Sequence, residues 1–178
     1  LYLLSQFITP CINKRTDEYG GNVENRFRII REIIQAIHKE CGASFPVFIK
    51  INANAPANYE DCWVAPDKNA AVQHAPAPKH DQFYFDDVCY IVKELDKLNV
   101  AGIEVSGYNF LDWKKEDHLF YLQEAVQLAK LVSTPVFPVG GITTPEDISQ
   151  VFANGMEMIS MCRAFVSEPD IIRKLADG

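Results

Sequence analysis

Thr134-Pro-Val-Phe-Pro-Val-Gly-Gly-Ile-Thr-Thr-Pro-Glu-Asp-Ile-Ser-Gln-Val-Phe-Ala-Asn-Gly-Met-Glu-Met-Ile-Ser-Met-Cys-Arg163 is the stretch whose reading decides the fold. It opens with a short apolar run, Pro135 to Val139, stopped by Gly140 and Gly141. It closes with a second, Met156 to Met161, stopped by Cys162 and Arg163. Between them Thr144 is placed to cap a helix. Pro145 suits the first helical position, where no N–H is needed, and Glu146 and Asp147 put negative charge where the helix dipole favours it. The stretch therefore reads as strand, helix, strand. Both strands are too apolar to keep one face wet, which argues for a parallel sheet covered on both sides. The glycines and the arginine then lie past the carboxyl ends of neighbouring strands, where α/β folds bind ligands. A Gly-Gly after a strand is by itself only a tight turn. With a guanidinium from Arg163 at the corresponding place on the next strand, the Gly140 and Gly141 amides read instead as a phosphate cradle.

Working outward, 178 residues can bury one sizeable core, and about half of them are apolar. The formal charge of −7 and the lack of a basic cluster argue against nucleic acid as a partner. No apolar run approaches a membrane span and no basic-apolar-small leader is present, so no membrane partner is expected. The five cysteines are widely separated and contain no Cys-x-x-Cys, which suggests neither a disulfide framework nor a zinc site. A reduced, cytoplasmic setting follows.

The chain opens inside an apolar run, Leu1 to Ile8, with no cap or turn before it, and so looks cut. Asn13 to Gly21 is a polar loop, and Asn22 can cap a helix to about Glu40 with Val23, Phe27, Ile30, Ile33, Ile34 and Ile37 on one face. Pro46 to Ile51 is the next buried strand. Lys50 near its carboxyl end is costly there unless it is paired or points at something anionic or electron-rich. Residues 54–82 lose all periodicity and read as a long loop or insertion, a lid by position. His74 and His80 within it lack a third ligand at useful spacing and read as solvated. A helix follows from about Phe85 to Leu98, with Val88, Ile91, Val92, Leu95 and Leu98 inward. Next comes a strand, Ala101 to Val105, ended by Ser106-Gly107. Glu104 inside it needs a partner whichever face it takes. After an aromatic loop (Tyr108, Phe110, Trp113) a helix spans about His118 to Val132, and Pro169 starts a last one.

Strands at Pro46, Ala101, Pro135 and Met156, each followed by a helix, make four βα units. A closed eight-stranded βα barrel needs about 250 residues and eight such units. The fold class expected is therefore α/β, the carboxyl-terminal half of a (β/α)8 TIM barrel, with four parallel strands over residues 1–178.

Asn13-Lys14-Arg15-Thr16-Asp17-Glu18-Tyr19-Gly20-Gly21, followed by Glu24-Asn25-Arg26, resembles the signature Asn-Lys-Arg-x-Asp-x-Tyr-Gly-Gly-x-x-Glu-Asn-Arg of the Old Yellow Enzyme family of NAD(P)H:flavin oxidoreductases. Tyr2 to Phe7 resembles the segment before it. Val139-Gly140-Gly141-Ile142, Arg163-Ala164-Phe165 and Glu168-Pro169-Asp170 resemble that family's last two strands. The resemblance covers nearly the whole chain outside residues 54–82, and implies an FMN-binding βα barrel seen from the end of its fourth strand onward.

The resemblance also implies roles. Gly140, Gly141, Cys162 and Arg163 match positions that hold the FMN phosphate, Gly141 and Cys162 through backbone and Arg163 through its side chain. Ser106 and Gly107 match a strand end beside that phosphate. Lys50 matches the basic residue near flavin N1 and O2, where arginine is more frequent and positive charge favours the anionic reduced flavin. Tyr2 matches a tyrosine that protonates the acceptor after hydride arrives, a general-acid step on an enone-like alkene. Asn13 to Arg26 is expected to be structural. Four features depart from the family: the His-x-x-His or His-x-x-Asn that precedes the tyrosine is missing, the first three strands with their flavin contacts are missing, Cys162 stands where glycine is frequent, and the loop from Asn54 to Gln82 has no counterpart.

The expected parent is thus an FMN-dependent oxidoreductase using NADH or NADPH, with a small electron acceptor and no resident metal. This chain alone is expected to have little activity. With two sheet edges and an apolar inner face open, it is expected to associate with itself or with the missing half barrel. The competing expectation is a non-catalytic half barrel that binds a phosphate-bearing ligand or a partner chain.

Overall fold

Asn22 does cap a helix in the computed structural model, which describes residues 3–10, 12–54, 80–108, 114 and 116–177, with backbone alone at 80–83 and 177. Its side chain accepts from the Asn25 amide at the start of α2 (Val23–Cys41). Phe27, Ile30 and Ile34 are buried at helical spacing, whereas Ile33, expected on the same face, is exposed one step round the helix. Before it, the uncapped apolar run forms helix α1 (Leu3–Ile8). Leu1 and Tyr2, where a strand end was implied, lie outside the described residues.

The three strands β1 (Phe48–Asn52), β2 (Gly102–Ser106) and β3 (Val136–Pro138) form one parallel sheet in the order β1-β2-β3. Between β1 and β2 runs α3 (His80–Lys97), which begins five residues before the expected Phe85. Between β2 and β3 runs α4 (Leu122–Ala129), and β3 is followed by α5 (Pro145–Ala153), α6 (Arg163–Ser167) and α7 (Ile171–Asp177). Because side chains alternate along a strand, Ile51, Ile103, Val105 and Val136 all turn to one face. There they join Val88, Val92 and Leu95 of α3 and Leu128 of α4 in a single buried cluster. Each such side chain contributes about 1.5–3 kcal/mol when fully buried.

Three more expected elements changed. The fourth strand is reduced to one parallel bridge, Val139 to Ser160, since the segment 156–161 has a paired neighbour on only one side among the described residues. The half barrel therefore carries three strands and a bridge in place of four strands. The helix expected from His118 starts at Leu122, because Leu119 takes a left-handed conformation (φ 55°) and the Leu119 and Phe120 amides donate to the Gly141 and Gly140 carbonyls. The last helix starts at Ile171 rather than Pro169, and the short α6 had no sequence signal.

The Asn13 to Arg26 segment is structural, as read. Asn13 Nδ2 donates to the Phe7 and Tyr19 carbonyls at 2.7 Å each. Arg26, only 4% exposed, donates to the Ile8 carbonyl at 3.0 Å and to the Gly21 carbonyl, and pairs with Asp87 of α3. One guanidinium thus ties α1, the glycine turn and α3 together.

Candidate active site at the strand ends

The loops that follow the strands border a cavity of about 1120 Å³. That is slightly above the roughly 300–1,000 Å³ usual for cofactor pockets. Lys50, Ser106, Gly107, Gly140, Gly141, Cys162 and Arg163, seven of the eight residues singled out from sequence, all line it. The eighth, Tyr2, lies outside the described residues. His74 and most of the 54–82 loop do too, and only backbone is described for His80.

The glycine turn is held from behind. Gly140 and Gly141 have φ of 97° and 68°, which favour glycine. A Cβ on Gly140 would lie 2.9 Å from Phe120 Cδ2, and one on Gly141 2.5 Å from Phe120 Cδ1 and 2.6 Å from the Leu119 amide nitrogen. Their carbonyls are taken by Leu119 and Phe120, while among the described residues their amides have no acceptor. Arg163, the first residue of α6, is exposed and has no anionic partner among the described residues. Cys162 precedes it as an exposed free thiol. Two amides and a guanidinium, without acceptors among the described residues and lining one cavity, form a donor set that suits a phosphate.

Lys50 is half exposed on the sheet's inner face and is not free. Its Nζ lies 2.8 Å from Glu104 Oε1, and Ser160 Oγ donates to Glu104 Oε2 at 2.8 Å. This supplies the partner that Glu104 needed. Ser106 is buried at the end of β2, and beyond Gly107 the Tyr108 amide donates to Asn54 Oδ1 at 2.7 Å.

Sequence reasoning missed a polar cluster at the start of α5, beside the cavity-lining Thr143. Asp147 caps α5 with Thr144, accepts from the Thr143 and Thr144 amides at 2.7 and 2.8 Å, and receives His118 Nδ1 at 2.9 Å. Burial alone would raise its carboxyl, but the donors from Thr143, His118 and Thr144 outweigh that and hold it at about 2. The capping box was visible in Thr144 and Asp147, whereas His118 is distant in sequence and gave no signal. Phe120, Tyr121, Lys114 and Asp117, by contrast, line the cavity itself and were unforeseen.

Comparison with known proteins supplies the family. A family model described as NADH:flavin oxidoreductase / NADH oxidase matches residues 1–178. An NADH:flavin oxidoreductase of Gibberella zeae is 29% identical over 186 residues, which cover 99% of this chain and 41% of the relative. Cinnamate reductase of Clostridium sporogenes is 29% identical over 182 residues, covering 98% of this chain and 26% of that enzyme. The solved structure of 2-naphthoyl-CoA reductase superposes with a TM-score of 0.76 at 21% identity, over 99% of this chain and 25% of its own, a likeness of fold. This chain spans less than half the length of the curated relatives. Matched from end to end, with its strand ends gathered round one cavity, the chain belongs to the NADH:flavin oxidoreductase / NADH oxidase family.

Proposed function

We propose that the cavity is an FMN site and that the whole protein passes reducing equivalents from NADH or NADPH to an activated, enone-like alkene. FMN, when bound, supplies the hydride chemistry. Arg163 would grip the phosphate by its guanidinium, with the Gly140, Gly141 and Cys162 amides donating from the same side and Ser106 and Gly107 beside them. Lys50 would sit near flavin N1 and O2, and Tyr2 would deliver the proton to the acceptor. The cofactor, the reductant and the acceptor agree with the family and with the printed name of cinnamate reductase.

The observation that carries the reading is that the Arg163 guanidinium and the Gly140 and Gly141 amides, none of them with an acceptor among the described residues, line the same cavity. The glycine turn also fits a phosphate, because Phe120 leaves no room for a side chain at either glycine and the Leu119 and Phe120 amides take the two carbonyls. Among the described residues no helix is long and apolar enough to cross a membrane, and a reducing, cytoplasmic setting suits the free thiols.

Titrating FMN into the purified chain tests the site. Binding should quench flavin fluorescence and shift its visible band, and Arg163→Ala should weaken it about tenfold or more. Colourless protein that stays so after FMN addition, or unchanged affinity in the variant, refutes the assignment. The chain alone should turn over little substrate. Its exposed Phe48 and unpaired sheet edge favour a second reading, in which a complementary half barrel or a second copy covers the inner face.

A further inference from the structure

The Lys50 to Glu104 pair extends beyond the cavity assignment. The register of β1 and β2 sets these residues opposite each other on the inner face, and Glu104 keeps only 21% of its side chain exposed against 49% for Lys50. One carboxylate oxygen meets Lys50 and the other accepts from Ser160. Ser160 in turn donates its amide to Pro138 and stands two residues before Cys162. A single carboxylate therefore joins the strand that carries the lysine to the segment that leads to Arg163. Two effects follow. The lysine is held in one place, and part of its positive charge is cancelled where the site is half open to water.

Resting on the cofactor reading above, we propose that Glu104 is a positioning residue that sets, through Lys50, how strongly this site prefers reduced over oxidised flavin. Two electrons and one proton convert neutral flavin into its anionic reduced form, so a cation near N1 favours the reduced state and a carboxylate beside that cation opposes the preference. Glu104 acts as a brake on it.

The test compares dissociation constants of the full chain for FMN and for FMN reduced anaerobically with dithionite. Their ratio reports the shift in flavin potential on binding and needs no turnover. Glu104→Gln keeps the shape and removes the charge, and should move the ratio about fivefold toward reduced FMN. Glu104→Asp keeps the charge and should leave the ratio as in the unaltered chain. Lys50→Met should move it the other way, which keeps the test open if the glutamine variant fails to fold by circular dichroism. An unmoved ratio in Glu104→Gln or in Lys50→Met, with FMN still bound, overturns the proposal. So does a shift in Glu104→Asp equal to that in Glu104→Gln, since it would trace the effect to geometry. If the unaltered chain binds neither form, the cofactor reading itself falls and takes this inference with it.

Discussion

The two faces of the three-stranded sheet are built on different principles. The helix side is dry: Ile103 and Val105 are fully buried, and Arg26 and Asp87 lock the helices behind them. The inner side is open. Phe48 is 54% exposed, and what order exists comes from the Lys50, Glu104 and Ser160 chain and from Phe120 beneath the glycine turn. Packing therefore accounts for the fold on one side, while on the other charge and hydrogen bonding arrange groups that still have capacity to bind. A ligand site must keep donors unspent, and the cost of leaving them unspent falls where water still reaches.

Substitutions on the two sides should separate sharply. The largest effect is expected at Arg26→Met, which strands the Asp87 carboxylate and the Ile8 and Gly21 carbonyls in the interior. Denaturant unfolding should show a loss on the order of 3–5 kcal/mol, and a loss below about 1 kcal/mol would deny the signature segment its structural role.

The cap of α5 should respond to acid. Asp147 is held at about 2, below its ordinary value of 3.8, so its stabilisation is complete above about pH 4 and disappears as pH falls through about 2. That difference corresponds to about 2 kcal/mol. In Asp147→Asn this part of the acid dependence should be missing from stability measured between about pH 5 and pH 2. An unchanged pH profile would place the acid sensitivity elsewhere.

The smallest effect belongs to the inner face. Phe48→Ser should change unfolding stability by about 0.5 kcal/mol or less, while lowering self-association measured by sedimentation. A large stability loss would mean that the inner face is packed in solution, and the contrast between faces would fail.

Much of this arrangement was legible locally. Asn22 and Thr144 announced their helices because a cap is a contact between residues three apart. The apolar strands announced the parallel sheet, but the cover expected on both its faces is not met among the described residues, since Phe48 on the inner face is 54% exposed. Glu104 was known to need a partner, and Lys50 was read as costly without one. The identity of the partner was not legible, since the two residues are 54 positions apart and only the β1 and β2 register brings them together. Lys50 was read as needing either a pair or something anionic or electron-rich to point at, and the pair it makes is with the Glu104 carboxylate.

The chain's own order of residues determined the caps, the apolar runs, the glycine turn and the signature segment, each of which is settled by neighbours within a few positions. Tertiary structure decided the rest. It cut the segment 156–161 to a single bridge, with no second neighbour among the described residues, turned Leu119 out of helix to reach Gly141, and paired His118 with Asp147. In each case the deciding partner is remote in sequence, and a hydrogen bond's free energy is realised only once the fold has brought its two ends within about 3 Å.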